Sequence, residues 1–260
     1  MKVFRVVDER TGSHAEVTLA RPGPLRVCAH VRASADAADQ TGLRVLLVAD
    51  LLTRAAEVRG LQVVSTRAFT GEPESQALVE RAADAFGVYP PVLRAAAPAT
   101  GRPGGPAVVH VADDAAAGED DFDGILLRTA AARLVPDGRP GSAVTGMFSG
   151  YDPLAVRLAL MSIPRRQPAE LTADDLAGAA RTLGEWRHRV ARWAESPSGA
   201  IPKSAAASVK LAFSDLDIGA VLALLSGLAA DETVPSGPRF ETFVYADRVL
   251  GLDLPRDIGR

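Results

Sequence analysis

The chain has one cysteine in 260 residues, Cys28, which excludes an internal disulfide and any cysteine-rich zinc or iron–sulfur site. It is also short of lysine: Lys2, Lys203 and Lys210 are the three among 29 basic residues, and the rest are arginine. A reaction that needs a mobile ammonium group therefore has three candidates. Aromatic residues make up 5% of the chain, and the longest uncharged apolar run, 218–230, is too short to cross a bilayer. No membrane span is expected. Basic and acidic residues nearly cancel, 29 against 32, so nothing in the overall charge attracts a polyanion. The first residues, Met1 to Arg10, carry charge and no apolar leader region, which points to a cytoplasmic protein.

What the chain does have is an ordinary globular composition, 47% hydrophobic and 23% charged, and length enough for a core of its own. Residues 3–7 and 14–19 alternate around Thr11-Gly12 and read as a β-hairpin, after which Pro22-Gly23-Pro24 breaks the chain. Leu25 to Val31 reads as a buried strand. Leu43, Leu46, Leu47, Leu51 and Ala55 keep helical spacing up to a glycine stop at Gly60. A strand over 61–65 and a helix over 74–87 follow, and this alternation implies parallel pairing with right-handed crossovers. Residues 90–106 are rich in Pro, Ala and Gly and read as a crossing loop; 107–111 reads as a strand and 125–135 as a helix. From Asp152, a helix cap followed by Pro153, the pattern is helical: 153–162, 172–195, 205–230 and 238–250. The expected fold is α/β, a Rossmann-like domain with a parallel sheet over 1–150 whose hairpin occupies 1–24, followed by an α-helical bundle over 151–260.

The order of these pieces resembles a known family. Leu25-Arg26-Val27-Cys28, the helix ending Val58-Arg59-Gly60, and the run from Tyr151-Asp152-Pro153 to Ser162 are together similar to cysteinyl-tRNA synthetases and the related mycothiol cysteine ligase. The opening hairpin and the closing segment, Ser214 to Leu252, resemble the same enzymes. The resemblance implies a class I aminoacyl-tRNA synthetase nucleotide-binding domain that activates cysteine with ATP, and it implies the residues needed to do so. Zinc would hold the cysteine thiol through Cys, His and Glu ligands from separated segments, and Cys28 alone stands at a matching position. His14, His30, His110 and His188 have no ligand-like spacing, so zinc is not expected and Cys28 reads as a small buried hydrophobe.

The histidine motif that opens the first long helix and stabilises the ATP phosphates would fall on Asp39-Gln40-Thr41-Gly42. There Gly42 is retained, Arg44 follows, and both histidines are missing. An aspartate at that point repels triphosphate; Asp39 or Thr41 reads instead as a helix cap. The mobile lysine-rich loop corresponds to residues 137–146, where Pro140 and Ala143 replace both lysines and Arg139 and Ser142 are the polar groups left. His110, on the strand after the deleted insertion, is the best single candidate for a surviving ligand contact. The candidate nucleotide contacts are thus Gly42, Arg44, His110, Arg139 and Ser142, with Arg139 and His110 the candidates for chemistry. ATP is the one cofactor this leaves open.

The expected function is that of a truncated paralogue that has lost adenylation and binds or regulates. Alternatives are a divergent ATP-dependent ligase for a small acceptor, in which Arg44, Arg133 or Arg139 replaces lysine, and an interaction module that meets a partner, or a second copy of itself, through the helical region. The chain ends where a tRNA synthetase adds its anticodon-binding part, so tRNA is not an expected partner.

Overall fold

The computed structural model describes residues 3–18, 23–36, 38–91, 93–94, 108–115, 122, 124–135 and 151–260. By its contacts the chain divides into two compact units, residues 1–147 with 165–172, and 148–164 with 173–260.

The first unit is built on a five-stranded parallel sheet. Its strands are β3 (Leu25–Arg32), β4 (Val63–Thr70), β5 (Leu93–Arg94), β6 (Val108–Asp113) and β7 (Ile125–Thr129), in the order β5-β4-β3-β6-β7. Helix α1 (Thr41–Val58) links β3 to β4, and α2 (Pro73–Ala85) links β4 to β5. The strand order runs outward from β3 in one direction and then restarts at β6 on its other side. In open α/β sheets that reversal is where ligands bind, beyond the carboxyl ends of the strands.

The alternation in β3 assigns its side chains to two faces. Val27 and Ala29 line a void of about 20 Å³ together with Leu46 and Ala49 of α1, and Val31 meets the start of that helix at Gly42. Cys28 and His30 therefore point to the opposite face. Residues 41–56 of α1 are all buried, so the helix is covered on every side rather than along one stripe. Gly42 has a packing reason as well: a Cβ there would lie 3.0 Å from both the Arg32 carbonyl oxygen and Val31 Cγ1. Gly71, at the end of β4, has a φ of +105°, and its Cβ would stand 2.3 Å from the Ala33 carbonyl oxygen, so no side chain fits.

The hairpin forms as the sequence predicts, from β1 (Val3–Asp8) and β2 (Ser13–Thr18), with Gly12 at a φ of +64° in the turn. The Glu9 amide donates to the Leu126 carbonyl at 2.9 Å, which ties the hairpin to β7. The segment 125–135 departs from expectation. It forms no helix but two strands, β7 and β8 (Ala132–Leu134), and β8 pairs in parallel with β9 (Ala169–Leu171).

The second unit is helical: α3 (Pro153–Ser162), α4 (Ala173–Trp193), α5 (Lys203–Asp215), α6 (Ile218–Ala230) and α7 (Ser236–Leu250), closed by a short 3-10 turn at Leu254–Asp257. Asp152 caps α3 as its sequence predicts, accepting from the Leu154 amide at 2.9 Å. The single helix expected over 205–230 is two. Leu216 adopts a left-handed conformation, φ 53°, and Asp217 caps the second helix through the Ala220 amide. Trp186 and Trp193 share one face of α4 and meet Phe243 edge-on, with ring centroids 5.7 and 5.1 Å apart, so the tryptophan stripe is core. Among the described residues, no helix is long and apolar enough to cross a membrane.

Candidate functional site

Two features of the first unit lie where the sheet order reverses. One is the N-terminus of α1. A helix start leaves its first amides without intrahelical acceptors, and this is what makes it attractive to phosphate. Here the chain provides its own acceptors. Asp39 Oδ1 takes the Thr41 amide, the first of the helix, at 2.9 Å, and the Asp39 backbone pairs antiparallel with that of Arg133 in β8. The Gln40 amide donates to the Ala132 carbonyl at 2.8 Å, and the Thr41 hydroxyl accepts from the Ala132 amide at 3.1 Å. The helix opening is thus stitched to β8 and carries a carboxylate.

Arg44, one turn further on, is 1% exposed. Its guanidinium donates to the carbonyls of Ala130, Ala131 and Gln167 at 3.1, 3.2 and 2.6 Å, so it faces backbone inside the unit instead of a ligand. Burial lowers its pKa to about 10, which leaves it charged at neutral pH. Arg133 pairs with Asp36 at 3.0 Å on the surface. Asp50, deeper in α1, is likewise structural: it pairs with Arg54 at 2.9 Å and accepts from the Tyr89 amide at 2.9 Å, while the Arg54 guanidinium lies 3.7 Å over the Tyr89 ring. Arg139 and Ser142 lie outside the described residues.

The second feature is on the sheet face opposite α1. Cys28 and His30 are two residues apart on β3, and the parallel register sets His110 of β6 directly beside Cys28. Strand geometry puts all three on one face, and their ligand atoms all lie within 4.8 Å of one another. The His30 Nε2 and His110 Nδ1 atoms are 2.9 Å apart, so one ring donates and the other accepts. Cys28 and His110 are fully buried and His30 is half-buried. Phe122 covers both rings, with centroid separations of 4.7 Å to His30 and 5.1 Å to His110, and it packs with Ala112 and Leu126. Burial, and then the proximity of His110, hold the His30 imidazole down at a pKa of about 4. At neutral pH the ring is therefore uncharged.

The donor set bears on the zinc that the resemblance implies. A thiolate and neutral imidazoles suit zinc, and a three-ligand set with a fourth position to fill is a recurring zinc arrangement. The ligands differ from those implied: Cys28 is joined by His30 and His110, and among the described residues by no glutamate. Sequence reasoning missed the grouping. Its signal was the Cys-x-His spacing inside a strand, which fixes a shared face, but the third member depends on a strand register that only the fold supplies.

The second unit contains a wider cleft of about 780 Å³, lined by Arg189, Arg192 and Arg239 and by Glu185, Glu195 and Glu232. Its charges are mixed in sign. Arg189 donates to the Ala229 carbonyl, and Arg239 stacks 4.9 Å over the Trp193 ring, so part of its positive charge is already engaged.

No family profile matches the chain. No curated protein matches it either. Among solved structures it is similar to the crystal structure of a putative arginyl-tRNA synthetase from Campylobacter jejuni, with a TM-score of 0.59 and 8% identity over 92% of this chain and 94% of that one. The chain therefore has a synthetase-like α/β fold with a Rossmann-type parallel sheet.

Proposed function

We propose that this protein is a degenerate relative of the class I synthetases, similar in its residues to cysteinyl-tRNA synthetase and mycothiol cysteine ligase, that no longer forms aminoacyl adenylates and serves as a non-catalytic binding or regulatory protein. The observation that carries this reading is the Asp39 carboxylate on the first amide of α1. Adenylate formation depends on positive groups and amide donors arranged around a phosphate as its charge develops, each supplying roughly 3–4 kcal/mol. A fixed carboxylate at that point takes up a donor and repels the triphosphate.

Two further facts support the same conclusion. Arg44, the nearest cation to that helix start in sequence, is committed to three carbonyls. The segment matching the mobile lysine loop contains Pro140 and Ala143 in place of lysine. ATP–pyrophosphate exchange with a panel of amino acids that includes cysteine tests the reading. No exchange above background is expected. Exchange that disappears in Arg139→Ala would instead establish a divergent ligase.

The same reading gives partner contact to the helical segment 151–260, where Leu211 of α5 is 65% exposed. A Leu211→Lys variant that turns a dimer into a monomer by light scattering, without unfolding, would support that assignment. An unchanged mass would remove it.

A further inference from the structure

We propose that Cys28, His30 and His110 bind one zinc-class divalent cation, with water completing its fourth position, and that the ion joins β3 to β6 as a structural rivet rather than serving as a substrate holder. The proposal stands apart from the loss of adenylation and would survive its failure. Three observations carry it.

The first is chemical. A buried thiol and two imidazoles within reach of one point form a donor set that a single metal ion can engage together. Here all three converge within 4.8 Å. One soft and two borderline donors select zinc over magnesium or calcium, which take oxygen ligands.

The second is geometric. Two nitrogens bound to tetrahedral zinc at about 2.0–2.1 Å lie roughly 3.3 Å from each other. The His30 and His110 nitrogens stand 2.9 Å apart, so on binding the ion the pair gives up its shared proton, the rings turn both lone pairs toward one point, and the nitrogens separate by about 0.4 Å. All three ligands come from adjoining central strands in fixed register.

The third concerns position. The ligands lie in mid-strand rather than at the carboxyl ends, where a substrate would enter. Phe122 covers both rings. An ion so placed crosslinks the two strands between which the sheet order reverses and is shielded from exchange with a bulky ligand.

The test uses the full chain, purified reduced and stripped with a chelator. Cobalt(II) titration should give one equivalent bound, with tetrahedral d–d bands and a sulfur-to-cobalt charge-transfer band, both displaced by zinc. Zinc at a hundredfold excess over its Kd should raise Tm by at least about 5 °C. Cys28→Ser should abolish the charge-transfer band, and His30→Gln, the change at the least buried ligand, should weaken binding more than about a hundredfold while circular dichroism stays native. Added free cysteine should leave the cobalt spectrum unchanged.

Absence of cobalt bands together with absence of a zinc effect on Tm in the unaltered protein would overturn the proposal, whatever the variants do. Undiminished binding in His30→Gln would also overturn it. A cobalt spectrum reshaped by cysteine would overturn the structural role, since it would show that a free thiol reaches the ion and displaces the water in its fourth position.

Discussion

The two units put buried charge to different uses. In the helical unit, charged side chains close backbone. Arg187 of α4 binds Asp152 and the carbonyls of Leu252 and Asp253, Arg157 donates to the Leu250 carbonyl at 2.7 Å, and Asp247 accepts from the Leu252 and Leu254 amides at 2.7 and 2.9 Å. Each carries an acidic or basic side chain to the end of a helix or the last turn of the chain, where orphan amides and carbonyls need partners. In the α/β unit Asp39 likewise takes the first amide of α1 and Arg44 binds the carbonyls of Ala130, Ala131 and Gln167, while on the other sheet face Cys28, His30 and His110 turn toward one another. Groups that satisfy backbone are structural. Cys28, His30 and His110 come within reach of one common point, and that convergence separates the candidate site from the rest of the polar interior.

The contrast can be broken by removing its members in turn. The largest effect is expected for Arg44→Ala, which leaves three carbonyls facing a cavity; about 3–5 kcal/mol should be lost, read as a lowered urea midpoint by far-ultraviolet circular dichroism. Retention of the midpoint would mean that the guanidinium is not the buried linchpin described. Arg187→Ala should cost the helical unit about 2–4 kcal/mol, because Asp152 and two carbonyls lose a donor together. Trp186 and Trp193 are the chain's two tryptophans and both belong to this unit, so their fluorescence follows that loss directly.

A smaller effect follows from pH in metal-free protein. The folded pKa of His30, about 4, lies below its ordinary value of 6.5, so the unfolded chain takes up a proton first as pH falls. Stability is complete above 6.5, declines between 6.5 and about 4, and then levels off, at a cost of about 2 kcal/mol once partial exposure is allowed for. His30→Gln should flatten that part of the pH–stability curve. The smallest effect belongs to Arg133→Ala, which breaks an exposed pair with Asp36 and should change stability by less than about 1 kcal/mol in the same urea titration.

Much of the architecture was readable from local chemistry. Thr11-Gly12 marks the hairpin turn, Asp152-Pro153 marks a helix start, and the strand–helix alternation from Leu25 onward implies the parallel sheet. The failures came where distant pairing overrides local preference. Ile125 to Leu134 has the alanine content and apolar spacing of a helix, yet Ile125–Thr129 is drawn into the sheet beside β6, and Ala132–Leu134 pairs with Ala169–Leu171, far along the chain. Leu216 hides a helix break because nothing about a leucine announces a left-handed turn, although the Asp217 cap after it does. The site was half legible for the same reason. Asp39 could be seen to oppose phosphate, although the residue at the helix cap is Gln40 and Asp39 reaches the Thr41 amide from one place earlier, whereas the partnership of His110 with Cys28 is a matter of register.

The most direct test of the central claim is a calorimetric titration of the unaltered protein with magnesium ATP. If Asp39 holds the α1 N-terminus closed to phosphate, no saturable binding should be seen up to millimolar nucleotide, and Asp39→Asn should not create adenylation. Saturable binding at micromolar concentration, accompanied by pyrophosphate exchange, would contradict it.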